Sequence, residues 1–385
     1  MKESTRSDRR VIIIVANIKK FRPPFYDALS RALIEKGISL RVIYSEPSVE
    51  EAEKQDSVEL PRDYALKVAR WYAIGGRILV QWIRPTLLTS ADLVIVVNAA
   101  GYLLNYPLLL ASRLRLLRVA LWGHGFNQQG QSAELGEKIK RRTVRWAAHW
   151  FAYTNSTGNY LQSCGVGRSR ITVIQNAIDT NSIRREVESV SVADVNKFLI
   201  QICAGMGSEI ALFCGSLYAE KRIDVLVAAA IEIAKVRPKF ILLIIGDGPL
   251  RGLVEAACNG SSCIRYLGPV HGRHKAIALR SASVVLNPGL VGLGVLDCFA
   301  AGVPLVTMSD ALHSPEIEYL EDGFNGVVSA PHLKGFIDSA LTVLEDQELR
   351  NLLAGHARQS GFEYSIEAMV GRVVLGIECA INAET

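Results

Sequence analysis

No apolar run in this 385-residue chain reaches the roughly eighteen uninterrupted residues of a membrane-spanning helix. The polar start MKESTRSDRR gives way to VIIIVAN, which is too short for the hydrophobic core of a signal peptide with a cleavage site. The seven cysteines form no C-x-x-C pair and no His/Cys spacing, which argues against a zinc site or a disulfide framework. They read as reduced core residues of a cytoplasmic protein. No D-x-D closes a strand, so no metal ligand is expected, and G-x-S-x-G, Walker A and H-E-x-x-H are all missing. The basic segments lack the interleaved aromatics of a single-strand nucleic-acid channel, so nucleic acid is not an expected partner.

The chain does have a large apolar inventory. It is 49% hydrophobic, and its length is enough for two domains of ordinary size. The net charge of +5 hides an asymmetry. Residues 1–180 carry 26 Lys and Arg against 15 Asp and Glu, a net of +11; residues 181–385 carry 17 against 23, a net of −6. A basic half joined to an acidic half has two explanations. Either the first half faces something anionic, such as membrane lipid or a pyrophosphate-linked acceptor, or it is a solvated basic surface.

Short apolar runs set the order of elements. Strands are predicted at 11–16, 39–44, 93–97, 119–122, 151–154 and 171–174, with a helix opened by Pro23-Pro24 after the first. The loop 17–22, NIKKFR, carries three cations. The stretch 102–117, YLLNYPLLLASRLRLL, reads as a helix with arginines among leucines. It suits either a membrane surface or a sheet face with a basic solvent edge. A second basic helix is predicted at 138–145. Residues 179–208 are polar and are read as irregular apart from one amphipathic piece near 195–202, which places the domain linker at 183–208. Beyond it, strands at 210–214, 240–245, 264–267, 284–287 and 304–306 alternate with helices, the pattern of a parallel sheet covered on both faces.

The stretch 287–307, NPGLVGLGVLDCFAAGVPLVT, concentrates the chemistry. A buried strand runs into Gly289, Gly292 and Gly294, a short helix follows from Val295, and Gly302 and Pro304 stop it. Free amides at a glycine-rich helix start attract an anion. Asp297, in the first turn, suits the hydroxyls of a ribose. The spacing resembles the donor site of family 4 glycosyltransferases of the GT-B fold, E-G-F-G-L-x-x-L-E-A followed by G-x-P. Gly292, Leu293, Leu296, Gly302 and Pro304 match. Asp297 replaces the second glutamate, which in the family binds the ribose, and Gly289 replaces the first, which sits beside the donor sugar. Residues 213–226, FCGSLYAEKRIDVL, resemble the family's G-R-L-x-x-x-K-G-x-D, with Gly215, Leu217, Lys221 and Asp224 matching. Ser216 stands for the usual arginine and Arg222 for the glycine. The resemblance makes Lys221 the cation on the donor diphosphate and RYLGPV the segment whose Val270 backbone reads the nucleobase. It also makes His124, in LWGHG, the cleft histidine near the donor sugar.

The resemblance implies an α/β protein of GT-B type, two Rossmann-like doubly wound domains facing across a cleft. Residues 1–182 would take the acceptor and 209–364 the nucleotide-sugar, with a helix at 365–385 crossing back to the first domain. It implies a retaining, metal-independent hexosyltransferase without a cofactor. The donor would be UDP- or GDP-linked, and the leaving diphosphate would be held by Lys221 and the Gly292–Val295 amides. The acceptor would be a glycan or polyprenyl-linked lipid of surface polysaccharide or lipopolysaccharide synthesis, with the enzyme peripheral on an anionic inner membrane face. Two alternatives stay open: a GT-B nucleotide-sugar epimerase, and a non-catalytic nucleotide-sugar-binding protein, the latter suggested by Gly289 and Ser216.

Overall fold

The computed structural model describes residues 9–53, 56–73, 78–125, 142–205 and 207–383. The chain divides into two compact units, Met1–Ile178 with Ile366–Thr385, and Asp179–Ser365.

The first unit is built on a parallel sheet, because its strands are short apolar runs buried on both faces. They are β1 Arg9–Ile14, β2 Ile38–Tyr44 and β3 Ala65–Lys67, an antiparallel pair outside the sheet, β4 Arg70–Ala73 and β5 Ile78–Gln81, then β6 Leu93–Val97, β7 Val119–Gly123, β8 His149–Ala152 and β9 Ile171–Val173. The sheet order is β3-β2-β1-β6-β7-β8-β9. The leucine-arginine stretch forms a helix only over Asn105–Arg113. Leu108 and Leu109 are buried in the core of this unit, so the helix packs on the sheet. Leu110, Leu114 and Leu116 remain exposed, and Arg115 turns the chain out of the helix with a left-handed φ of 59°. The basic helix expected at 138–145 lies outside the described residues as far as 141; beyond that, Val144–Trp146 is one 3-10 turn. The last helix, Ile366–Asn382, groups with this unit and packs along the Pro23–Glu35 helix and β9.

The second unit repeats the architecture with β10 Glu209–Cys214, β11 Phe240–Ile245, β12 Ile264–Gly268, β13 Val284–Leu286, β14 Leu305–Met308 and β15 Gly326–Ser329, all parallel, in the order β12-β11-β10-β13-β14-β15. The irregular linker predicted at 183–208 is a correction. Two helices, Thr180–Glu188 and Val192–Gln201, occupy that stretch and belong to the second unit. Polar contacts rather than an apolar stripe hold the first of them. The Asp179 carboxylate accepts from the Ser182 amide at 2.8 Å, and the buried Thr180 hydroxyl donates to the Gly361 carbonyl at 3.1 Å. The second helix starts with a reciprocal capping box between Ser191 and Asp194.

The cysteines are all unpaired, but they are not all core residues. Cys164, Cys263 and Cys298 are buried, whereas Cys203 and Cys379 are exposed.

Candidate functional site

In both sheets the strand order reverses beside the first strand, between β1 and β6 and between β10 and β13. Open parallel sheets form their ligand crevice at the carboxyl ends of the strands at such a switch point. In the second unit the loops after β10 and β13 meet there, and they are the two loops singled out by sequence.

The loop after β10 runs from Gly215 into a 3-10 turn, Ala219–Lys221. Arg222 then takes a left-handed conformation, φ 50°, to enter the Ile223–Val236 helix. That conformation is one glycine adopts without strain, which accounts physically for a glycine at this place in the family pattern. The loop after β13 lies directly on this turn. A Cβ built on Gly289 would stand 2.3 Å from the Glu220 carbonyl oxygen and 2.6 Å from the Lys221 Cα, so only glycine fits. The Leu290 amide donates to the Glu220 carbonyl at 2.7 Å, and the Lys221 Nζ donates to the Leu290 carbonyl at 2.5 Å. The Lys221 side chain also runs past Gly215, whose Cβ position is 3.8 Å from Nζ. Burial pushes the Lys221 ammonium down to about 8, with Cys214 and Glu220 opposing the shift.

Past Leu290 the chain is pinned by a histidine that sequence reasoning did not reach. The Val291 amide donates to His313 Nδ1 at 3.1 Å, and His313 Nε2 lies 2.9 Å from the Met308 carbonyl. Nδ1 must therefore accept and Nε2 carry the proton. Burial holds the His313 pKa below the ordinary histidine range, which keeps the ring neutral. The helix Gly294–Ala301 opens just beyond, with Val295 buried in it. The Val295 amide is already committed to the Gly292 carbonyl at 3.2 Å. The anion-facing set expected at Gly292–Val295 is therefore shorter, because Val295 spends its N–H on the first turn. Among the described residues the amides of Gly292, Leu293 and Gly294 donate no hydrogen bond.

Asp297 has a partner that its spacing could not show. Lys275, on the Gly272–Ser281 helix, pairs with it at 2.7 Å, and both side chains are largely covered. Burial opposes the Lys275 charge, but Asp297 and Cys214 together outweigh it and raise its pKa. One carboxylate oxygen of Asp297 accepts from Lys275. Arg222 does not supply charge to the Lys221 loop; its guanidinium pairs with Asp310 at 2.8 Å. Ser216 is exposed, and Val270 lies half-buried between β12 and the Gly272–Ser281 helix. Thus Gly215, Lys221, Gly289 and the glycine loop form one cluster. Arg222 and Ser216 point to other contacts or to solvent.

His124 belongs to the first unit, just past the end of β7. Its ring meets the edge of Tyr153 at 4.5 Å between centroids, and its carbonyl accepts from Thr157 at 3.3 Å.

A parallel sheet with a switch-point glycine loop, an adjacent lysine and an acidic residue in the following helix, in a chain of two Rossmann-like units, defines a doubly wound α/β protein. Residues 208–346 match the model "Glycosyl transferases group 1", and residues 25–182 match "Glycosyltransferase Family 4". The chain belongs to the family 4, group 1 glycosyltransferases. It is similar to phosphatidyl-myo-inositol mannosyltransferase of Mycolicibacterium smegmatis, 31% identical over 42% of this chain and 44% of that protein. It is also similar to alpha-monoglucosyldiacylglycerol synthase of Acholeplasma laidlawii, 25% identical over 41% of this chain and 40% of that one. The chain thus spans less than half the length of these curated relatives. Among solved structures, Anabaena HepE with UDP bound superposes with a TM-score of 0.69, 13% identity, and coverage of 96% of this chain and 99% of that chain. A Rickettsia africae glycosyltransferase gives a TM-score of 0.69 at 12% identity, covering 98% and 100%. These likenesses establish the GT-B fold.

Proposed function

We propose that this chain transfers a sugar from a UDP- or GDP-linked donor to a glycan or lipid-linked acceptor, with retention of configuration and without a metal. The observation that carries this reading is the cluster after β10 and β13. A half-buried ammonium with one carbonyl partner, at Lys221, shares a loop junction with three uncommitted amides at Gly292–Gly294. Cleaving a glycosyl phosphate leaves added charge on the β-phosphate, and fixed donors aimed there lower the barrier. No enzymic nucleophile stands in the motif, because Gly289 offers no side chain and has no room for one. The reading is therefore a same-face displacement in which Lys221 and the amides hold the departing diphosphate. Val270 backbone groups are assigned to the base, the second oxygen of Asp297 to the ribose, and His124 to the donor sugar.

The acceptor class draws on the names of the two lipid-modifying relatives. A surface feature of the first unit supports it. A groove of about 1410 Å³ runs along the amino-terminal edge of its sheet, lined by Arg113, Arg115, Arg118, Arg142, Arg145 and Arg170. Among the described residues no carboxylate pairs with any of these six. With the exposed leucines beside it, this face suits an anionic membrane surface at the site of surface-glycan or glycolipid synthesis. No helix among the described residues is long and apolar enough to cross a membrane.

The test is transfer of labelled sugar from UDP- and GDP-linked donors into a bacterial lipid extract, with EDTA present. The reading expects a product whose new glycosidic bond keeps the donor configuration by NMR. An inverted product, or transfer that EDTA abolishes, contradicts it. The absence of a carboxylate at Gly289 favours one second reading, a non-catalytic nucleotide-sugar binder. Donor binding without turnover in any extract would select that reading.

A further inference from the structure

The switch point of the first sheet holds a cavity of its own, about 290 Å³, lined by Trp122 of LWGHG but by no residue of the loops after β10 and β13. It opens at the carboxyl ends of β1, β6, β7 and β8, lined by Ala16 and Asn17, Val97, Trp122 and Tyr153. That is the edge where open α/β sheets bind ligands. The size stands at the lower end of ligand pockets, which leaves room for one small ring rather than an oligosaccharide. Arg22, from the cationic loop NIKKFR, reaches into it while more than nine-tenths buried.

The bonding of Arg22 is incomplete. One terminal nitrogen, Nη2, donates to the Asn176 side-chain oxygen at 2.7 Å and to the Tyr153 hydroxyl at 3.4 Å. The other, Nη1, is buried and has no hydrogen-bond partner among the described residues. A buried donor left unsatisfied costs about 1–3 kcal/mol, more when it is charged. Aromatic rings wall the guanidinium, with Phe21 4.8 Å away and Trp122 and Tyr153 each 5.8 Å away. Those faces partly offset its charge but do not satisfy the N–H. The other charged groups lining the cavity are Lys19 and Glu51, and they pair with each other. The cavity therefore retains one positive charge with no carboxylate partner among the described residues.

We propose that this cavity is a subsite for an anionic sugar, whose phosphate or carboxylate docks on Arg22 and whose ring lies among the surrounding aromatic side chains. The inference rests on the transferase reading only in taking the bound sugar for part of the acceptor. Arginine suits this position because its planar guanidinium keeps Nη2 on Asn176 and Tyr153 while presenting the Nη1 N–H groups to an oxyanion, which a lysine ammonium cannot do.

Calorimetric titration of the full chain at low salt with glucose 6-phosphate, glucuronate and glucose tests it. At least one charged sugar should bind about tenfold or more tightly than glucose, and which one does so tells phosphate from carboxylate. Arg22→Gln should weaken that binding about ten- to a hundredfold, Arg22→Lys should fall between, and UDP titration should not change. Ala16→Met fills the cavity while leaving the arginine in place, and it should abolish sugar binding. It also decides the matter if Arg22→Gln does not fold. Equal affinity for charged and neutral sugars, no binding of any of them, or unaltered binding in Ala16→Met would overturn the proposal. Charged-sugar binding in a chain that never turns over a donor would leave this subsite standing and remove the transferase reading. Transfer to neutral acceptors, undiminished in Arg22→Gln, would do the reverse.

Discussion

A lysine ammonium forced down from 10.5 to about 8 by burial is one whose charge the empty protein disfavours. A diphosphate beside it reverses that preference. Nucleotide affinity should therefore be flat below pH 8 and fall as pH rises past 8, by at most about tenfold per pH unit for one proton. The same shift makes the empty protein gain stability between about pH 8 and 10.5, because the unfolded chain holds the Lys221 proton longer. Calorimetry of UDP binding from pH 7 to 9.5 checks the first effect, and Lys221→Met should lose the decline along with most of the affinity. An unchanged slope in that variant would assign the titration elsewhere. Asp297 behaves differently from a free ribose ligand because Lys275 depends on it. Asp297→Ala should cost up to about 3 kcal/mol by stranding a covered ammonium. Adding Lys275→Met should restore most of that stability without restoring nucleotide affinity. Urea unfolding and nucleotide titration of the single and double variants separate the two roles.

At the scale of elements, the junction between the β10 and β13 loops depends on contact distance. Gly289→Ala inserts a methyl where 2.3 Å separates its position from a carbonyl oxygen, so the Lys221 turn must move. The expected loss is about 1–3 kcal/mol, with nucleotide affinity falling alongside it. Thermal unfolding and titration should both register the change, and a Gly289→Ala protein with wild-type binding would show that the junction is looser than described. The inner strands of both units and the glycine loop were legible in sequence, because a parallel strand buried on two faces is an apolar run and a phosphate-type turn needs glycine, but the short edge strands β3 and β15 were not. The Thr180–Glu188 helix was not, since it is fixed by Asp179 capping and by the Thr180–Gly361 bond across 181 positions. The box Ser191–Asp194 was present as a signal in the assumed linker. Pairings such as Lys275 with Asp297, His313 with Val291 and Arg22 with Asn176 exist only after folding, and no spacing encodes them. The β4–β5 pair was missed because each strand is only four residues long, RWYA and ILVQ, too short to show a two-residue alternation.

The whole molecule carries its net positive charge in the first half and the glycine-loop motif in the second. If the arginine groove meets a membrane, the chain should co-sediment with anionic vesicles and poorly with neutral ones, at about 1 kcal/mol per cation near the surface. Binding should weaken as salt brings the screening length below about 10 Å. Replacing Arg113, Arg115 and Arg118 by glutamate should reduce vesicle binding and spare nucleotide binding, which the proposed function assigns to the second unit. Equal binding to both lipids would contradict an electrostatic contact. The central claim is that the loops after β10 and β13 hold a nucleoside diphosphate, and calorimetric titration of UDP and GDP in the presence of EDTA tests it most directly. The account predicts one site per chain for at least one of them, weakened about ten- to a hundredfold by Lys221→Ala. No binding of either nucleotide at millimolar concentration, or equal binding to the Lys221→Ala protein, would contradict it.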